Sequence, residues 1–164
     1  MNVHRQARLS TPIGVLTLVA TERGLSRVRF AHQDASDVDA AVDGQHPVLA
    51  AAASQLREYF AGRRTRFDLA LDLVGTEFQR LAWSALADVP YGQTVTYGQQ
   101  AERIGRPGAS RAVGAANAKN PVPIVLPCHR VVGADGSLTG FAGGIEMKAT
   151  LLSLEREQQS FDFG

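Results

Sequence analysis

The segment PVPIVLPCHRVV, residues 121–132, contains the one cysteine of the chain, Cys128, followed directly by His129 and Arg130. A thiol is a nucleophile only as the thiolate, and burial among apolar residues would raise its pKa and make it inert. A nearby imidazole does the opposite, because it takes the proton and then stabilises the anion. Neighbouring side chains in an extended chain point to opposite sides, so one bridging water could carry the proton from Cys128 to His129. These residue types indicate a reactive thiol.

A general base at His129 would need a carboxylate to orient it and to stabilise its positive form. The predicted final helix offers two, Glu146 and Glu155, and their spacing leaves the choice open. The alternative for Cys128 is an ordinary buried residue that packs as a small hydrophobe. With no second cysteine, the chain can form neither an internal disulfide nor a thiolate-rich zinc site, and we expect no bound metal.

The composition is that of a globular protein with a locally basic surface. The 164 residues are 45% hydrophobic and 20% charged, with a net charge of +1. The first ten residues contain no apolar signal core, and no apolar run reaches the ~18 residues that span a bilayer, so we expect a cytoplasmic protein. From Arg103 to Ala134 every charged side chain is basic. This tract indicates either an anion-binding face or a solvated surface that lacks acids.

The elements that must position these residues divide the chain into two predicted domains. Residues 1–74 predict a small α/β domain with an antiparallel sheet. Two β-rich runs, IGVLTLVA and LSRVRFA, flank the turn TERG and predict a hairpin within residues 9–31. The polar stretch 32–46 predicts a loop or a short exposed helix. A helical pattern then begins at Pro47 and ends at Gly62, and TRFDLALDLV, residues 65–74, alternates as a half-buried strand does.

Residues 75–164 predict a mostly helical domain, which gives the chain an α/β (α+β) fold class. Thr76 and Gln79 form a capping-box pattern before a helix that we expect to reach Val89. Two short helices around IGRPG predict a winged-helix-like helix-turn-helix. A glycine-rich turn or hairpin, GADGSLTGFAGG, and an amphipathic helix, EMKATLLSLEREQQ, follow.

The second of the two short helices carries a face of small residues. Its one long side chain near the start is Arg111, and the others are Ala109, Ser110, Ala112, Gly114, Ala115 and Ala116. Small side chains let a helix approach a surface closely. The face therefore fits either tight packing in a core or insertion into a narrow groove.

Several motifs together resemble one family. PCHRV at 127–131, preceded by NPVP at 120–123, closely resembles the active-site segment of the O6-alkylguanine-DNA alkyltransferases. RAVG at 111–114 resembles the recognition helix of that family. Further matches are PYG at 90–92, TYG at 96–98, GFAGG at 140–144, Lys148, and Leu151 to Glu155. The resemblance is dense over residues 75–156 and weaker over residues 1–74.

The resemblance implies a catalytic role for five residues. Cys128 would be the nucleophile and permanent methyl acceptor. His129 would be the water-mediated base, oriented by Glu155. Asn120 would be the hinge residue that braces the cysteine loop, and Tyr97 would donate a proton to N3 of guanine as O6 leaves.

The resemblance also implies the surfaces that hold the substrate. Arg111 would fill the gap left in the base stack by a flipped nucleotide. The other expected DNA-binding residues are Tyr97, Ala112, Gly114, Ala115 and Lys119. The expected pocket for the alkylated base consists of Cys128, Val131, Phe141, Ala142 and Gly143, with the backbone amide of Ala142 facing O6. Lys148 would be structural, and we expect Arg130 to be a structural ion-pair donor.

The implied function is DNA repair by a single transfer of a methyl or alkyl group from O6-alkylguanine in duplex DNA to Cys128. O4-alkylthymine as a second substrate stays open, and no cofactor is expected. One alternative is a non-catalytic alkyltransferase-like protein that binds the lesion. Another is a cysteine hydrolase, for which the basic helix would have no use.

The partners expected are double-stranded DNA with alkylated bases and no membrane, for a protein that acts as a monomer. The tail QQSFDFG at 158–164 loosely resembles peptides that dock on the bacterial sliding clamp. A weak clamp contact through this tail and a frayed chain end are the two interpretations.

Overall fold

The computed structural model of the chain describes residues 4–33, 40–42, 46–139, 141 and 143–162. The chain divides into two units, Met1–Val74 and Gly75–Gly164. It is a mixed α/β chain in which the sheet of four strands lies in the first unit and most helices lie in the second. Over the described ranges, no helix is both long and apolar enough to span a membrane.

The sheet of the first unit contains β1 (His4–Thr11), β2 (Gly14–Ala20), β3 (Leu25–Arg29) and β4 (Ala40–Val42), in the order β3-β2-β1-β4. The predicted hairpin corresponds to β2 and β3, which pair antiparallel, and β1 pairs antiparallel with β2. Strand β4 runs parallel to β1. Cross-strand partners such as Leu9 with Leu16 and Leu18 with Val28 are buried, which gives the sheet an apolar face.

Helix α1 (Pro47–Phe60) packs against this sheet, as its apolar spacing requires. Pro47 stands in the first turn, where the missing N–H costs nothing. Leu49, Leu56 and Tyr59 are buried. Gly62 follows the helix with a φ of 75°, and its N–H donates to the carbonyl of Tyr59 at 3.0 Å. The predicted start and end of this helix are confirmed.

The first unit differs from the sequence predictions in three places. The strand β1 was not predicted, because its segment is polar and gains its order from pairing with β2. Ala40–Val42 forms strand β4 within a stretch predicted as loop or helix; residues 34–39 and 43–45 of that stretch lie outside the described residues. Residues 65–74 do not form the predicted strand. Only Leu71 makes a bridge, to Leu25, so the alternation reflects a half-buried extended segment without a ladder.

The second unit contains α2 (Glu77–Leu86), α3 (Tyr97–Arg103), α4 (Ser110–Ala118) and α5 (Ile145–Asp162). Thr76 caps α2 with the predicted capping box, and Thr96 caps α3 in the same way. Helix α2 ends at Leu86, earlier than the predicted Val89, since the next residues form a turn before Pro90. The glycine-rich segment forms a turn in which the N–H of Gly133 donates to the carbonyl of Ser137 at 2.9 Å.

A short parallel pair of strands frames the cysteine segment. Strand β5 (Val95–Thr96) directly precedes α3 and pairs with β6 (Val131–Val132). Strand β6 directly follows a turn of 3₁₀-helix, Cys128–Arg130. The pair therefore brings the start of α3 close to the end of the cysteine segment. No local sequence signal predicted strands of this length.

Helices α3 and α4 form the predicted helix-turn-helix and share a small core with α2. Its buried members are Ala82, Ala101, Ile104, Val113 and Ala116. A polar contact lies inside this core. The side-chain amides of Gln100 and Asn117 exchange hydrogen bonds at 3.0 and 2.8 Å, and Gln100 also donates to the carbonyl of Ala82 at 3.0 Å. The three bonds fix α3 and α4 relative to each other and to α2.

We expect the substitution Asn117→Ala to lower the free energy of unfolding by roughly 1–3 kcal/mol, because it leaves the buried Gln100 side-chain oxygen without its donor. Urea unfolding measures the change. Glu102→Ala, at an exposed position of α3, is the control and should change stability by less than about 0.5 kcal/mol. Equal effects of the two substitutions would contradict this role of the amide pair.

Candidate active site

Cys128 begins the 3₁₀ turn and is 4% exposed. Its backbone N–H donates to the carbonyl of Leu126 at 2.8 Å. Burial raises the pKa of the Cys128 thiol to about 11, and it outweighs the hydrogen bond from the Asn120 side chain and the positive charge of Lys148, which both act to lower the pKa. The resting thiol is therefore protonated at neutral pH and needs a base before it can react.

The His129 ring lies against a carboxylate. Its Nε2 is 2.6 Å from Oε2 of Glu155, and both side chains are fully buried. Burial lowers the pKa of His129, with help from the charges of Arg130 and Lys148, and outweighs the contacts with Glu155 that would raise it. The ring is thus neutral at neutral pH. Nε2 carries the proton, because the ionised carboxylate can only accept.

The second ring nitrogen of His129 is available for a proton. No described residue hydrogen-bonds to Nδ1, which is buried. There is likewise no direct hydrogen bond between His129 and Cys128 within the described part of the chain. With Nε2 protonated, Nδ1 carries the lone pair and is the basic atom of the site.

Glu155 gathers several donors around one carboxylate. The guanidinium of Arg130 donates from Nε to Oε1 at 2.9 Å and from Nη2 to Oε2 at 3.1 Å, and the backbone N–H of Gly92 donates to Oε1 at 3.1 Å. Burial alone would raise the pKa of Glu155, but His129 and Arg130 outweigh it and lower the pKa to about 2. Glu146, the other carboxylate that the sequence allowed, is exposed at the start of α5.

Arg130 is anchored from two further directions. Its Nη1 donates to the carbonyl of Val89 at 2.7 Å, and its guanidinium carbon lies 5.5 Å from the centre of the Tyr91 ring. The sequence motif PYG therefore lies against the ion pair. Arg130 has the ion-pairing position that was expected of it.

Asn120 brackets the loop before the cysteine. Its Oδ1 accepts from the backbone N–H of Val122 at 3.0 Å, and its Nδ2 donates to the carbonyl of Leu126 at 2.7 Å. Asn120 is 7% exposed. One side chain thus ties together two points of the loop and touches the same carbonyl as the amide of Cys128.

Tyr97 forms a second polar group with Lys148 and Thr139. The Tyr97 hydroxyl donates to the carbonyl of Thr139 at 2.8 Å, and Nζ of Lys148 lies 2.8 Å from that carbonyl and 3.4 Å from the hydroxyl. Burial lowers the pKa of Lys148. Only a structural role was expected for Lys148. Its contact with a candidate proton donor needs the third dimension, because the two residues are distant in sequence.

Apart from Tyr97, the expected DNA-binding residues lie on α4 or directly after it. Arg111, Ala112, Ala115 and Lys119 are exposed, whereas Gly114 is half-buried against the Tyr97 ring. A Cβ at Gly114 would lie 3.7 Å from Cε1 of that ring. The small face of the helix therefore serves close approach to Tyr97 on one side and remains accessible on the other.

The expected base pocket is only partly described. Val131 is buried and Phe141 is 9% exposed, while Gly143 is half-buried. Ala142 lies outside the described residues. Within the described ranges, no group of three or more His, Cys, Asp or Glu side chains is arranged to hold a metal ion.

Comparison with known proteins gives consistent results over most of the chain. Residues 77–157 match the family model described as 6-O-methylguanine DNA methyltransferase, DNA binding domain, and residues 5–73 match the one described as its ribonuclease-like domain. A Mycolicibacterium paratuberculosis protein named methylated-DNA–protein-cysteine methyltransferase is 50% identical over 90% of each chain. A constitutive Bacillus subtilis protein of that name is 43% identical, over 95% of this chain and 96% of its own.

Solved structures agree with the sequence relatives. The crystal structure of the Mycobacterium tuberculosis O6-methylguanine methyltransferase superposes with a TM-score of 0.87 at 45% identity, covering 95% of this chain and 94% of that chain. A Mycobacterium tuberculosis structure described as OGT in complex with DNA also has a TM-score of 0.87, at 46% identity and 94% coverage of each chain.

The depressed pKa of Glu155 predicts an acid-sensitive fold. A carboxylate whose folded pKa is about 2, against 4.5 for the ordinary group, contributes stability above pH 4.5 that is lost as pH falls towards 2. We expect roughly 3 kcal/mol of unfolding free energy to be lost over this range from Glu155. His129, whose pKa is lowered below 6.5, acts in the same direction at higher pH, since its neutral form belongs to the folded state.

Urea unfolding at a series of pH values measures this loss. Glu146→Gln, which removes an exposed carboxylate from the same helix, is the matched control and should keep the wild-type pH profile. Glu155→Gln should flatten the profile below pH 4.5 and lower stability at neutral pH, because it leaves the Arg130 charge buried without its partner. An unchanged profile in Glu155→Gln would exclude Glu155 as the source.

Proposed function

Because this chain belongs to the 6-O-methylguanine DNA methyltransferase family, we propose that it repairs DNA by transferring the alkyl group of O6-alkylguanine to Cys128 in a single turnover. The observation that carries this proposal is a buried thiol, Cys128, that shares one 3₁₀ turn with His129, whose ring pairs with the buried Glu155. Duplex DNA is the partner, and O4-alkylthymine is a second substrate to be tested.

Activation of the thiol is the first step. A water that bridges Sγ of Cys128 and Nδ1 of His129 would carry the thiol proton to the ring, whose Nε2–H already donates to Glu155. The carboxylate then faces an imidazolium and stabilises it. This arrangement supplies a thiolate inside a site where burial alone disfavours one.

Transfer of the alkyl group is a displacement at carbon. The sulfur lone pair forms the S–C bond, the C–O6 bond breaks, and its electron pair passes into guanine. A proton from the Tyr97 hydroxyl to N3 makes guanine a neutral leaving group. The adjacent Lys148 ammonium stabilises the tyrosinate that remains. Proton exchange with water then returns Tyr97 to its hydroxyl form and His129 to its neutral form.

The reaction stops after one transfer. The thioether formed at Cys128 is a poor leaving group, and the proposed mechanism contains no step that returns the sulfur to a thiol. One protein molecule is therefore consumed for each lesion repaired.

Access to the base requires the nucleotide to leave the duplex. A thiol at 4% exposure cannot reach O6 inside a base stack, so the damaged nucleotide must flip into the site at a cost of a few kcal/mol. Arg111, exposed near the start of α4, would enter the vacated stack through the minor groove. Ala112, Gly114 and Ala115 would let the helix approach closely, and Lys119 would contact phosphate without reading sequence.

The finer expectations about partners and location form part of the proposal. Every proposed catalytic residue lies in one unit of one chain, which supports action as a monomer. A cytoplasmic location is consistent with a role in DNA repair. A weak contact of the tail, residues 158–164, with the sliding clamp is supported by its Gln and Phe residues alone.

We expect the intact protein to gain the mass of one methylene group after incubation with duplex DNA that carries one O6-methylguanine. The gain should saturate at one per molecule and map to Cys128, which is the only cysteine. Intact-protein and peptide mass spectrometry measure it. Cys128→Ser should bind the lesion without any gain, because a serine hydroxyl is a far weaker nucleophile at neutral pH.

Two other results would favour the alternatives. Tight lesion binding by the wild-type protein without a mass change would indicate a lesion-binding protein. Repeated turnover on an ester or amide that depends on Cys128 would indicate a hydrolase.

We expect Arg111→Ala to slow transfer from duplex DNA by about tenfold or more, because an inserted side chain recovers part of the cost of flipping. Transfer from single-stranded DNA should change little, since it has no stack to fill. Single-turnover kinetics on both substrates measure the difference. Arg106→Ala, an exposed arginine in the turn before α4, is the charge-matched control. Equal slowing on both substrates would contradict insertion by Arg111.

A further inference from the structure

Ile124 has a backbone conformation that isoleucine rarely adopts. Its φ is 74°, and every other described residue with positive φ is a glycine. The left-handed region disfavours β-branched side chains, which crowd the neighbouring backbone. The side chain is nevertheless fully buried. Glycine or asparagine would adopt this conformation at a lower cost. The isoleucine side chain must therefore make a contribution to the structure that these two residues cannot make.

The conformation belongs to a tight turn in the loop before the cysteine. The N–H of Leu126 donates to the carbonyl of Val122 at 3.0 Å, which closes the turn around Ile124. Pro123 and Leu126 face each other across it as an isolated bridge. The Asn120 side chain bonds to both ends of this turn.

The turn determines where one carbonyl points. The oxygen of Leu126 accepts from Nδ2 of Asn120 at 2.7 Å and from the backbone N–H of Cys128 at 2.8 Å. Any rotation of the peptide after Leu126 would therefore move the Asn120 amide and the start of the 3₁₀ turn together. Both groups touch the nucleophile or carry it.

We propose that Ile124 is a positioning residue, whose buried side chain locks the left-handed turn and thereby aims the Leu126 carbonyl that holds Asn120 and Cys128 in place. The kinetic consequence of this role rests on the proposed function, whereas its structural consequence does not. Pro123 directly precedes Ile124, and the Ile124 side chain is itself buried, so the turn has few other backbone conformations available. Glycine at this position would adopt the same φ without strain and would also adopt many others.

The test compares Ile124→Gly with Leu86→Ala, which removes a fully buried side chain from α2 in the same unit. At saturating duplex DNA containing O6-methylguanine, Ile124→Gly should slow single-turnover transfer by about tenfold or more, because small misplacements of a reacting group are costly. The DNA concentration for half-maximal rate should stay within about twofold of wild type. Leu86→Ala, assayed where it is folded, should change neither value beyond that limit. Ile124→Val keeps a branched side chain and should transfer the methyl group at close to the wild-type rate.

A double-mutant cycle tests the path of the effect. If Ile124 acts through the Leu126 carbonyl, the losses caused by Ile124→Gly and Asn120→Ala should be less than additive, because both release the same atom. Additive losses would overturn this path, and a rate for Ile124→Gly equal to that of Leu86→Ala would overturn the positioning role.

A second readout separates this proposal from the proposed function. Alkylation of Cys128 by iodoacetamide, followed by mass spectrometry across a pH series, requires no DNA. Ile124→Gly should change its pH dependence relative to wild type and Leu86→Ala, because the loop no longer holds the Asn120 amide and the apolar enclosure in place around the sulfur. A wild-type protein that accepts no methyl group would contradict the function, whereas identical iodoacetamide profiles in the two variants would contradict the role of Ile124.

Discussion

The buried carboxylate of Glu155 is the contact on which the C-terminal unit depends. It joins α5 to the 3₁₀ turn through His129 and Arg130 and to the loop after α2 through the N–H of Gly92. A buried charge that loses its partners is strongly destabilising, so these elements must assemble together. The same negative charge orients the imidazole. Folding and activation of the thiol thus depend on the same interaction, so a substitution of Glu155 would affect both.

The nucleophile lies between two anchors of different kinds. On its C-terminal side the ion pair of Arg130 and Glu155 holds the 3₁₀ turn. On its N-terminal side Asn120 and the left-handed turn at Ile124 hold the loop, at a strain of roughly 1–3 kcal/mol for such a residue. Strain of this size persists only where the surroundings fix the backbone. The benefit is a sulfur whose position is set before the substrate arrives, which lowers the entropic part of the barrier.

Local signals predicted the elements that neighbouring residues determine, such as the capping box at Thr76. The alternation at residues 65–74 was misleading, because a strand needs a partner and, among the described residues, only Leu25 offers a bridge. The same limit applies to the site. Spacing left two carboxylates for His129, and the resemblance to a family, not helical periodicity, indicated Glu155. The contact between Lys148 and Tyr97 had no local signal, since it depends on how α5 packs near the start of α3.

The burial of the thiol also bears on how long the protein remains usable. With a pKa of about 11, only roughly one Cys128 in ten thousand is ionised at neutral pH. Peroxides attack the thiolate, and sulfinic and sulfonic acids are not reduced by ordinary cellular thiols. A molecule with a single thiol and a single use has no second thiol to replace one lost to oxidation. The apolar enclosure therefore keeps the thiol unoxidised until the protein meets a lesion.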